Sequence, residues 1–320
     1  MRSKMISKVA VIGSGVMGHG IAQLYALAGY PVAMYDVEEG YLQKAMKAIA
    51  DNLSLLVQEA VITEEAKLRA IKRITPATEI DTAVHDADFV TEAIPEVLEM
   101  KWELFEKLER LTRPDTIIAS NTSTFSISRL VEKMTSTHRM IITHFFNPAQ
   151  LVPLVEIVRH ERTADEVVEA TMVLMKAIGK SPVLLKKDVP GFIANRLQAA
   201  LAREAFFLLE QGVADAADID LAVTAGPGFR WSFIGPIETA DFGGLDTWKR
   251  VIENLAPVLD KSERAPAMIE RCVDNGQLGT KTGKGIYAYE ERSVNQKIRE
   301  RDEYFIRLAA MKKRQEGSGE

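Results

Sequence analysis

The chain has 320 residues, of which 47% are hydrophobic and 27% are charged. This composition excludes a disordered or collagen-like chain and is sufficient for two domains of about 150 residues each. A net charge of −5 and a single cysteine, Cys272, exclude a basic nucleic-acid-binding face, a disulfide scaffold and a cysteine-based zinc site. Residues 1–8 lack the apolar core of a secretory signal, and no apolar stretch is long enough to span a bilayer. We therefore expect a globular cytoplasmic protein that binds no nucleic acid, membrane or metal.

Short β-rich runs alternate with helical patterns over the first half of the chain. Residues 8–13 and 31–36 are continuous apolar runs that predict buried parallel strands, with a helix of small residues over 16–28 between them. Amphipathic patterns over residues 39–59 and 63–73 predict a helical hairpin. The other predicted elements of this half are strands over 89–93, 116–120, 140–146, 152–158 and 182–185, and helices over 98–111 and 165–179. This alternation predicts an α/β fold with a Rossmann-type doubly wound parallel sheet.

The periodicity becomes wholly helical after the Pro190-Gly191 pair. Apolar residues at three- and four-residue spacing predict a long helix over residues 192–211. Further helices are predicted over 216–225, 237–255 and 265–276. We therefore predict a doubly wound domain over residues 1–187 and an all-helical C-terminal domain over residues 188–320, whose polar tail from Lys312 onward is expected to fray.

A G-x-G-x-x-G pattern follows the first predicted strand and opens the first helix. The first glycine permits a tight turn, the second lets the backbone approach a pyrophosphate, and the third allows close packing of helix on strand. Free N–H groups and the dipole at the helix N-terminus favour the bound anion. The residues of this predicted cofactor loop are Gly13, Gly15, Val16, Met17 and Gly18.

Asp36 ends the second predicted strand, 18 residues after Gly18. A carboxylate at this place accepts a hydrogen bond from a ribose 2′-hydroxyl and repels a 2′-phosphate. Residues 37–43 contain no arginine or lysine that would receive such a phosphate. The pattern therefore predicts NAD rather than NADP as the cofactor, and the alternative is a glycine turn that binds no nucleotide.

A second group of candidate residues lies at the end of an apolar strand. His144 begins the run HFFNP, and Glu156 interrupts the apolar run LVEIV. A charged side chain within a buried strand is costly unless it is paired. We interpret the two as a dyad in which Glu156 sets the imidazole tautomer and stabilises the imidazolium, so that His144 acts as a base. The alternative is a hydrogen-bonded core histidine with an unrelated surface glutamate.

Several motifs in order resemble those of the L-3-hydroxyacyl-CoA dehydrogenase family over residues 7–289. They are GSGVMGHGIA (13–22), EAIPE (92–96) with Lys101 after it, SNTS (120–123), HFFNP (144–148), LVEIV (154–158), PGFIANR (190–196) and GTKTGKGIYAY (279–289). The resemblance implies an NAD-dependent oxidoreductase that forms a homodimer through its helical domain.

The resemblance also implies residue roles. His144 matches the general base that takes the proton of the substrate's 3-hydroxyl, and Glu156 matches its partner. Ser123 and Asn195 match residues that hydrogen-bond the substrate near the reacting carbon, with turn or capping roles as the alternative. The positions that match NAD contacts are Glu96, Lys101, Ser123, Asn147 and Lys281. For the two lysines, a solvated surface charge is the alternative.

Two departures from the family pattern concern the substrate. Glu59 stands where the family's helical hairpin usually carries a lysine that contacts the CoA phosphates, and a carboxylate repels phosphate. Pro153 stands where members acting on fatty-acyl substrates usually have a lysine, as in relatives that act on free hydroxy acids. In that case Arg230 would supply a cation for a free carboxylate, and the alternative for Arg230 is a surface charge.

The resemblance and the two departures from it lead to three candidate functions. The first is NAD-dependent oxidation of a short-chain L-3-hydroxyacyl-CoA, such as 3-hydroxybutyryl-CoA. The second is the same chemistry on a CoA-free 3-hydroxy acid resembling carnitine or gulonate. The third is a non-catalytic NAD-binding structural protein, which would have no need of His144, Glu156, Ser123 or Asn195.

Overall fold

The structure, a computed structural model, describes residues 5–317 and divides into two compact units. The first unit is Met1–Ile193 together with Arg299–Glu320, and the second is Ala194–Ile298. The predicted boundary at residue 188 therefore lies a few residues before the structural one. The end of the chain, predicted to belong to the helical domain, groups with the first unit instead, because the last helix returns to its core.

An eight-stranded sheet forms the centre of the first unit. Its strands are β1 (Val9–Ile12), β2 (Val32–Tyr35), β3 (Ile74–Ala77), β4 (Phe89–Glu92), β5 (Ile117–Ser120), β6 (Met140–Phe145), β7 (Leu154–Arg159) and β8 (Ser181–Leu185). Their order is β3-β2-β1-β4-β5-β6-β7-β8, and every neighbouring pair is parallel except β6 and β7. The predicted doubly wound, mostly parallel sheet is confirmed, and the antiparallel pair and β3 are additions to it.

Helices cover both faces of this sheet. They are α1 (Gly18–Leu27), α2 (Glu39–Gln58), α3 (Glu64–Lys72), α4 (Ile80–Val84), α5 (Leu98–Leu111), α6 (Ile127–Leu130) and α7 (Asp165–Ala177). Alternate residues of β1 enter different apolar clusters, Val9 and Val11 one and Ala10 and Ile12 the other. Both faces of the strand are therefore buried, which is why its sequence is continuously apolar.

The described part of the second unit is helical. Its helices are α8 (Ala194–Glu210), α9 (Ala216–Ala225), α10 (Pro227–Trp231), α11 (Pro236–Gly243), α12 (Leu245–Leu255) and α13 (Ala267–Asp274). The single helix predicted over residues 237–255 is two helices, because Gly244 between them has a φ of +84°. Within residues 5–317, the structure contains no helix with the length and hydrophobicity needed to span a membrane.

A last helix, α14 (Glu291–Gly317), was not predicted. Charged residues make up nearly half of its sequence and weaken the apolar stripe by which sequence patterns identify amphipathic helices. In the first unit, Ile306 is 5% exposed and belongs to the buried cluster on the face of α2. The helix continues to Gly317, past Lys312 where fraying was expected, and residues 318–320 lie outside the described part.

Contacts with the hairpin formed by α2 and α3 accompany this burial. Arg307 donates to both carboxylate oxygens of Glu59, at 3.0 and 3.2 Å, and Arg299 donates to the side-chain oxygen of Gln58 at 3.1 Å. The Arg307 hydrogen bond is the main reason why the pKa of Glu59 is lowered. The end of α2 is thus bound by α14.

Asp88 fixes the start of the sheet. Its carboxylate accepts hydrogen bonds from Ser7 N at 2.8 Å, Ser7 Oγ at 2.7 Å and Lys8 N at 3.1 Å, and it pairs with Arg113. Burial raises the pKa of Asp88, but these hydrogen bonds outweigh burial and the net shift is downward. The carboxylate therefore holds the residues that lead into β1 beside the start of β4.

We expect Asp88→Asn to lower the free energy of unfolding at pH 7 by about 1–3 kcal/mol, because the amide loses the charge-assisted acceptor. Since the pKa of Asp88 is lowered by folding, its stabilisation is complete above the ordinary aspartate pKa of about 3.9 and is lost as the pH falls through the folded value. Urea unfolding at pH 7 and pH 3 should therefore show a smaller pH effect in the variant than in the parent.

Asp51→Asn is the control, because Asp51 forms only an exposed ion pair with Lys47. Its stability should remain within a few tenths of a kcal/mol of the parent. An Asp88→Asn variant that loses as much stability as the parent between pH 7 and pH 3 would contradict this account.

Candidate active site

His144 and Glu156 face each other across the antiparallel pair β6–β7. They are directly opposite in register, and His144 Nδ1 lies 2.9 Å from Glu156 Oε2. The two residues are 4% and 1% exposed. A carboxylate at Nδ1 favours the tautomer with its proton on that nitrogen and leaves the Nε2 lone pair for chemistry. The structure thus brings the two predicted catalytic residues into direct contact.

The surroundings of this dyad restrict it further. Glu156 Oε1 accepts a hydrogen bond from Ile193 N at 2.9 Å. The rings of Phe146 and Phe192 lie with centroids 4.5 and 5.4 Å from that of His144. The carboxylate is therefore held at both oxygens, and the imidazole has aromatic neighbours.

The glycine loop has the shape needed for a dinucleotide. Gly13 has a φ of +94°, and a Cβ there would lie 2.6 Å from the carbonyl oxygen of Ala93. A Cβ on Gly18 would lie 1.7 Å from the carbonyl oxygen of Gly13, so close packing of α1 requires glycine. A Cβ on Gly15 would meet nothing within 4 Å, which leaves open space beside the backbone as pyrophosphate binding requires. The residues present fit the predicted cofactor.

The other predicted loop residues lie around this space. Val16 is 69% exposed and Met17 is half-buried immediately before α1. Asp36 directly follows β2, and its Oδ2 accepts hydrogen bonds from Ser14 N at 2.8 Å and Ser14 Oγ at 2.7 Å. Asp36 Oδ1 accepts from Val37 N at 2.8 Å. The carboxylate is thus fixed beside the glycine loop, where a ribose hydroxyl would be recognised.

Glu96 organises the loop that carries Ser123. One carboxylate oxygen accepts hydrogen bonds from Ser123 N at 3.0 Å, Thr124 N at 3.1 Å and the hydroxyl of Thr122. Burial raises the pKa of Glu96, but the hydrogen bond from Thr122 and the charge of Lys101 outweigh it and lower the net value. The ionised carboxylate therefore holds half-buried Ser123 in one position at the end of β5.

Lys101 lies beneath this loop and is 1% exposed. Its Nζ is 2.6 Å from Glu92 Oε1 and 3.1 Å from Glu96 Oε2. Glu92 also accepts from Ser120 Oγ at 2.5 Å, and its burial raises its pKa against the opposing effect of Lys101. Lys101 is therefore not a solvated surface charge. It is paired with two carboxylates, one of which belongs to Glu96, itself a predicted cofactor contact.

Sequence reasoning missed Glu92. Its signal was present, because a glutamate that ends an apolar strand needs a partner, and Lys101 lies nine residues later. The role of Asn121, which belongs to the SNTS motif, is likewise not predicted from the sequence. Its side-chain oxygen accepts a hydrogen bond from Phe145 N at 2.9 Å, which ties the Ser123 loop to β6 and thus to His144.

Three further predicted residues belong to other segments of the chain. Asn147 is exposed just after β6 in the first unit. Asn195 and Lys281 belong to the second unit, the former half-buried at the start of α8. Lys281 is exposed and lines a mainly apolar cavity of about 530 Å³, together with Phe206 and Tyr287. The first unit therefore gathers the dyad, the glycine loop with Asp36, and the Ser123 loop with its buried charges.

Comparisons with known proteins agree with these motifs. The family model described as 3-hydroxyacyl-CoA dehydrogenase, NAD binding domain, matches residues 8–189, and the model of that family's C-terminal domain matches residues 191–289. A 3-hydroxybutyryl-CoA dehydrogenase from Bradyrhizobium diazoefficiens is 39% identical over 286 residues, covering 89% of this chain and 96% of the relative.

Two solved structures extend the comparison. A 5-formyl-3-hydroxy-2-methylpyridine 4-carboxylic acid 5-dehydrogenase, described as an NAD⁺-dependent dismutase, has a TM-score of 0.89 at 32% identity, covering 98% of this chain and 99% of that one. The (S)-3-hydroxybutyryl-CoA dehydrogenase of Ralstonia eutropha has a TM-score of 0.74 at 35% identity, covering 89% of this chain and 100% of that one. About a tenth of this chain thus has no counterpart in the latter enzyme.

We expect the protein to bind NADH more tightly than NADPH, because the fixed carboxylate of Asp36 accepts from a 2′-hydroxyl and repels a 2′-phosphate. Asp36→Ala should weaken NADH binding about tenfold, the value of one charge-assisted hydrogen bond, and narrow the difference between the two cofactors. Fluorescence titration of both reduced cofactors measures this. Asp51→Asn, at an exposed position of α2, should change neither affinity. Equal affinities of the parent protein for NADH and NADPH would refute the role given to Asp36.

Proposed function

Since the chain belongs to the 3-hydroxyacyl-CoA dehydrogenase family, whose members are NAD-dependent oxidoreductases, we propose that it oxidises the 3-hydroxyl of a 3-hydroxy acid or its thioester. The contact between His144 and Glu156 carries this proposal. A buried imidazole whose Nδ1 is held by a carboxylate is suited to accept a proton at Nε2. A purely structural NAD-binding protein would have no use for such a pair.

In the proposed reaction, NAD bound at the glycine loop supplies the hydride acceptor. His144 Nε2 takes the hydroxyl proton as the ketone forms, and Glu156 stabilises the resulting imidazolium. A general base of this kind contributes roughly 10²–10⁴-fold to the rate. Ser123 holds the reacting oxygen, a role that the resemblance also gives to Asn195. Glu96 and Lys101 act through the Ser123 loop that they hold.

The proposed substrate is a small hydroxy acid without CoA. Glu59, which stands where the resemblance implies a CoA-contacting lysine, is bound by Arg307 of α14. This helix lies beyond residue 289, where the family match ends, and it occupies the end of the hairpin. The dehydrogenase of a pyridine carboxylic acid resembles the chain with a TM-score of 0.89, against 0.74 for the compared CoA enzyme. These observations support the free hydroxy acid as the first candidate, ahead of the CoA thioester that the sequence places first.

A short-chain 3-hydroxyacyl-CoA is the second candidate. The 39% identity to a 3-hydroxybutyryl-CoA dehydrogenase favours it, and the full-length hairpin of α2 and α3 is present. Arg307 places one guanidinium near the position of the expected phosphate-binding lysine. Two of its N–H groups already donate to the carboxylate of Glu59.

We also propose that the second unit pairs with a second copy of the chain. Several of its large apolar side chains are more than three-quarters exposed, namely Phe229, Phe233, Ile237 and Phe242. Apolar exposure on this scale is typical of surfaces that associate. A homodimer through the helical unit also agrees with the resemblance.

His144→Gln should lower kcat by about 10²–10⁴-fold and leave NADH affinity within about twofold, because the base is removed and the glycine loop is untouched. Glu156→Gln should also lower kcat, since an amide does not stabilise an imidazolium as a carboxylate does. Steady-state NADH formation and fluorescence titration measure the two quantities. His138→Gln, an exposed histidine on the short turn before β6, is the matched control and should retain full activity. Near-normal turnover without His144 would disprove the mechanism.

A substrate panel decides between the two candidates. We expect kcat/KM for free 3-hydroxybutyrate, carnitine or gulonate to exceed that for 3-hydroxybutyryl-CoA by at least about tenfold, or roughly 1.4 kcal/mol of transition-state stabilisation. NADH formation with the parent and with His144→Gln separates true turnover from contaminating activity. The opposite preference would establish the CoA ester, and turnover of no 3-hydroxy compound would refute both candidates.

A further inference from the structure

A strained turn leads from the first unit to the second. Phe192 N donates to Val189 O at 3.0 Å, and Gly191 and Phe192 have φ values of +76° and +51°. Glycine adopts such a backbone readily, but a residue with a bulky side chain does so rarely. Phe192 is nevertheless 1% exposed and part of an apolar cluster of the sheet. Its surroundings therefore hold it in a conformation that its own backbone disfavours.

Two successive residues of this turn contact the two members of the dyad. The Phe192 ring centroid lies 5.4 Å from that of His144, with the ring planes 57° apart. The next peptide group, Ile193 N–H, donates to Glu156 Oε1 at 2.9 Å. Strained backbone conformations persist at functional sites when the surrounding structure requires them. Here the strain places the ring and the peptide group where both reach the dyad.

The dyad needs such support. One hydrogen bond at Nδ1 fixes that nitrogen but leaves the imidazole able to tilt about the bond, and tilting redirects Nε2. Contact with a neighbouring ring limits the tilt, because χ2 of histidine has only a broad intrinsic preference. Phe146 also contacts His144, but it is only half-buried and follows the last residue of β6.

We propose that Phe192 is a positioning residue: its ring, held by the left-handed turn, fixes the plane of His144 while Ile193 fixes Glu156. The effect on turnover rests on the proposed function, whereas the effect on the resting dyad does not. Loss of the ring should therefore loosen the hydrogen bond from Nδ1 before any substrate is present.

The test compares Phe192→Leu with Phe105→Leu in the full chain. Phe105 is fully buried in the same apolar cluster, on α5, and is not among the ring contacts of His144. In ¹H–¹⁵N spectra of the resting enzyme, the Nδ1 proton of His144 is identified by its loss in His144→Gln. We expect Phe192→Leu to speed its exchange with water about tenfold and Phe105→Leu to leave it unchanged. We also expect kcat to fall about tenfold in the first variant with an unchanged KM for NAD.

A third variant separates the ring from the backbone. Asparagine adopts positive φ more readily than most residues, so Phe192→Asn relieves the turn while removing the ring. Positioning by the ring predicts that Phe192→Asn loses at least as much kcat as Phe192→Leu. Phe192→Gly, which also accepts positive φ and carries no ring, replaces it in the comparison if the asparagine variant fails to fold.

Unchanged proton exchange in Phe192→Leu, or an equal change in Phe105→Leu, overturns the proposal. Retained kcat in Phe192→Asn overturns it as well, because the ring would then be dispensable. Exchange is measured without substrate, so faster exchange in a protein that oxidises no 3-hydroxy compound refutes the proposed function and leaves the positioning role standing.

Discussion

The antiparallel pairing of β6 with β7 is the constraint on which the candidate active site depends. Parallel neighbours require a crossover of a dozen or more residues, so a residue 12 positions after His144 would normally lie in the connection. The antiparallel return instead brings Glu156 directly opposite His144, 12 residues later in the chain. One local reversal in a parallel sheet thus creates a buried acid–base pair at the edge where such sheets bind ligands.

Buried charge is the second feature of that edge. Glu92 and Lys101 lie at the end of β4 and on α5, and each is fully buried. Removing one partner of such a pair costs about 3–5 kcal/mol, because the other is left uncompensated in the interior. Desolvation offsets the attraction within the intact pair, so the pair adds little to stability, but its two members contact Ser120 and Glu96 and so hold the Ser123 loop. Through Asn121 and Phe145 N this loop is joined to the strand that carries His144.

The first unit was largely predictable, because its buried strands are continuous apolar runs and its glycine pattern has a specific spacing. The strand β3 is not predicted from the sequence, because it is short and contains Pro76, a residue that is typical of loops and edge strands. The partnership of His144 with Glu156 was inferred correctly as a contact, but its antiparallel register was not visible in the residues. For Lys101 the alternative of a solvated surface charge is wrong, and only the fold shows that two carboxylates converge on it.

Helix α14 shows why substrate choice was harder to predict than chemistry. The chemistry depends on buried groups, whose desolvation makes each contact strong and therefore leaves a clear pattern in the sequence. Under the proposed function, the substrate is selected at an exposed rim, where a single charge such as Glu59 has little effect because water and salt screen it. Arg307 neutralises that charge, so repulsion of phosphate is not what distinguishes the candidates. The remaining difference is that α14 occupies the end of the hairpin. Burial of Ile306 contributes about 1.5–3 kcal/mol to holding the helix there. A ligand that binds at this place would have to displace the helix.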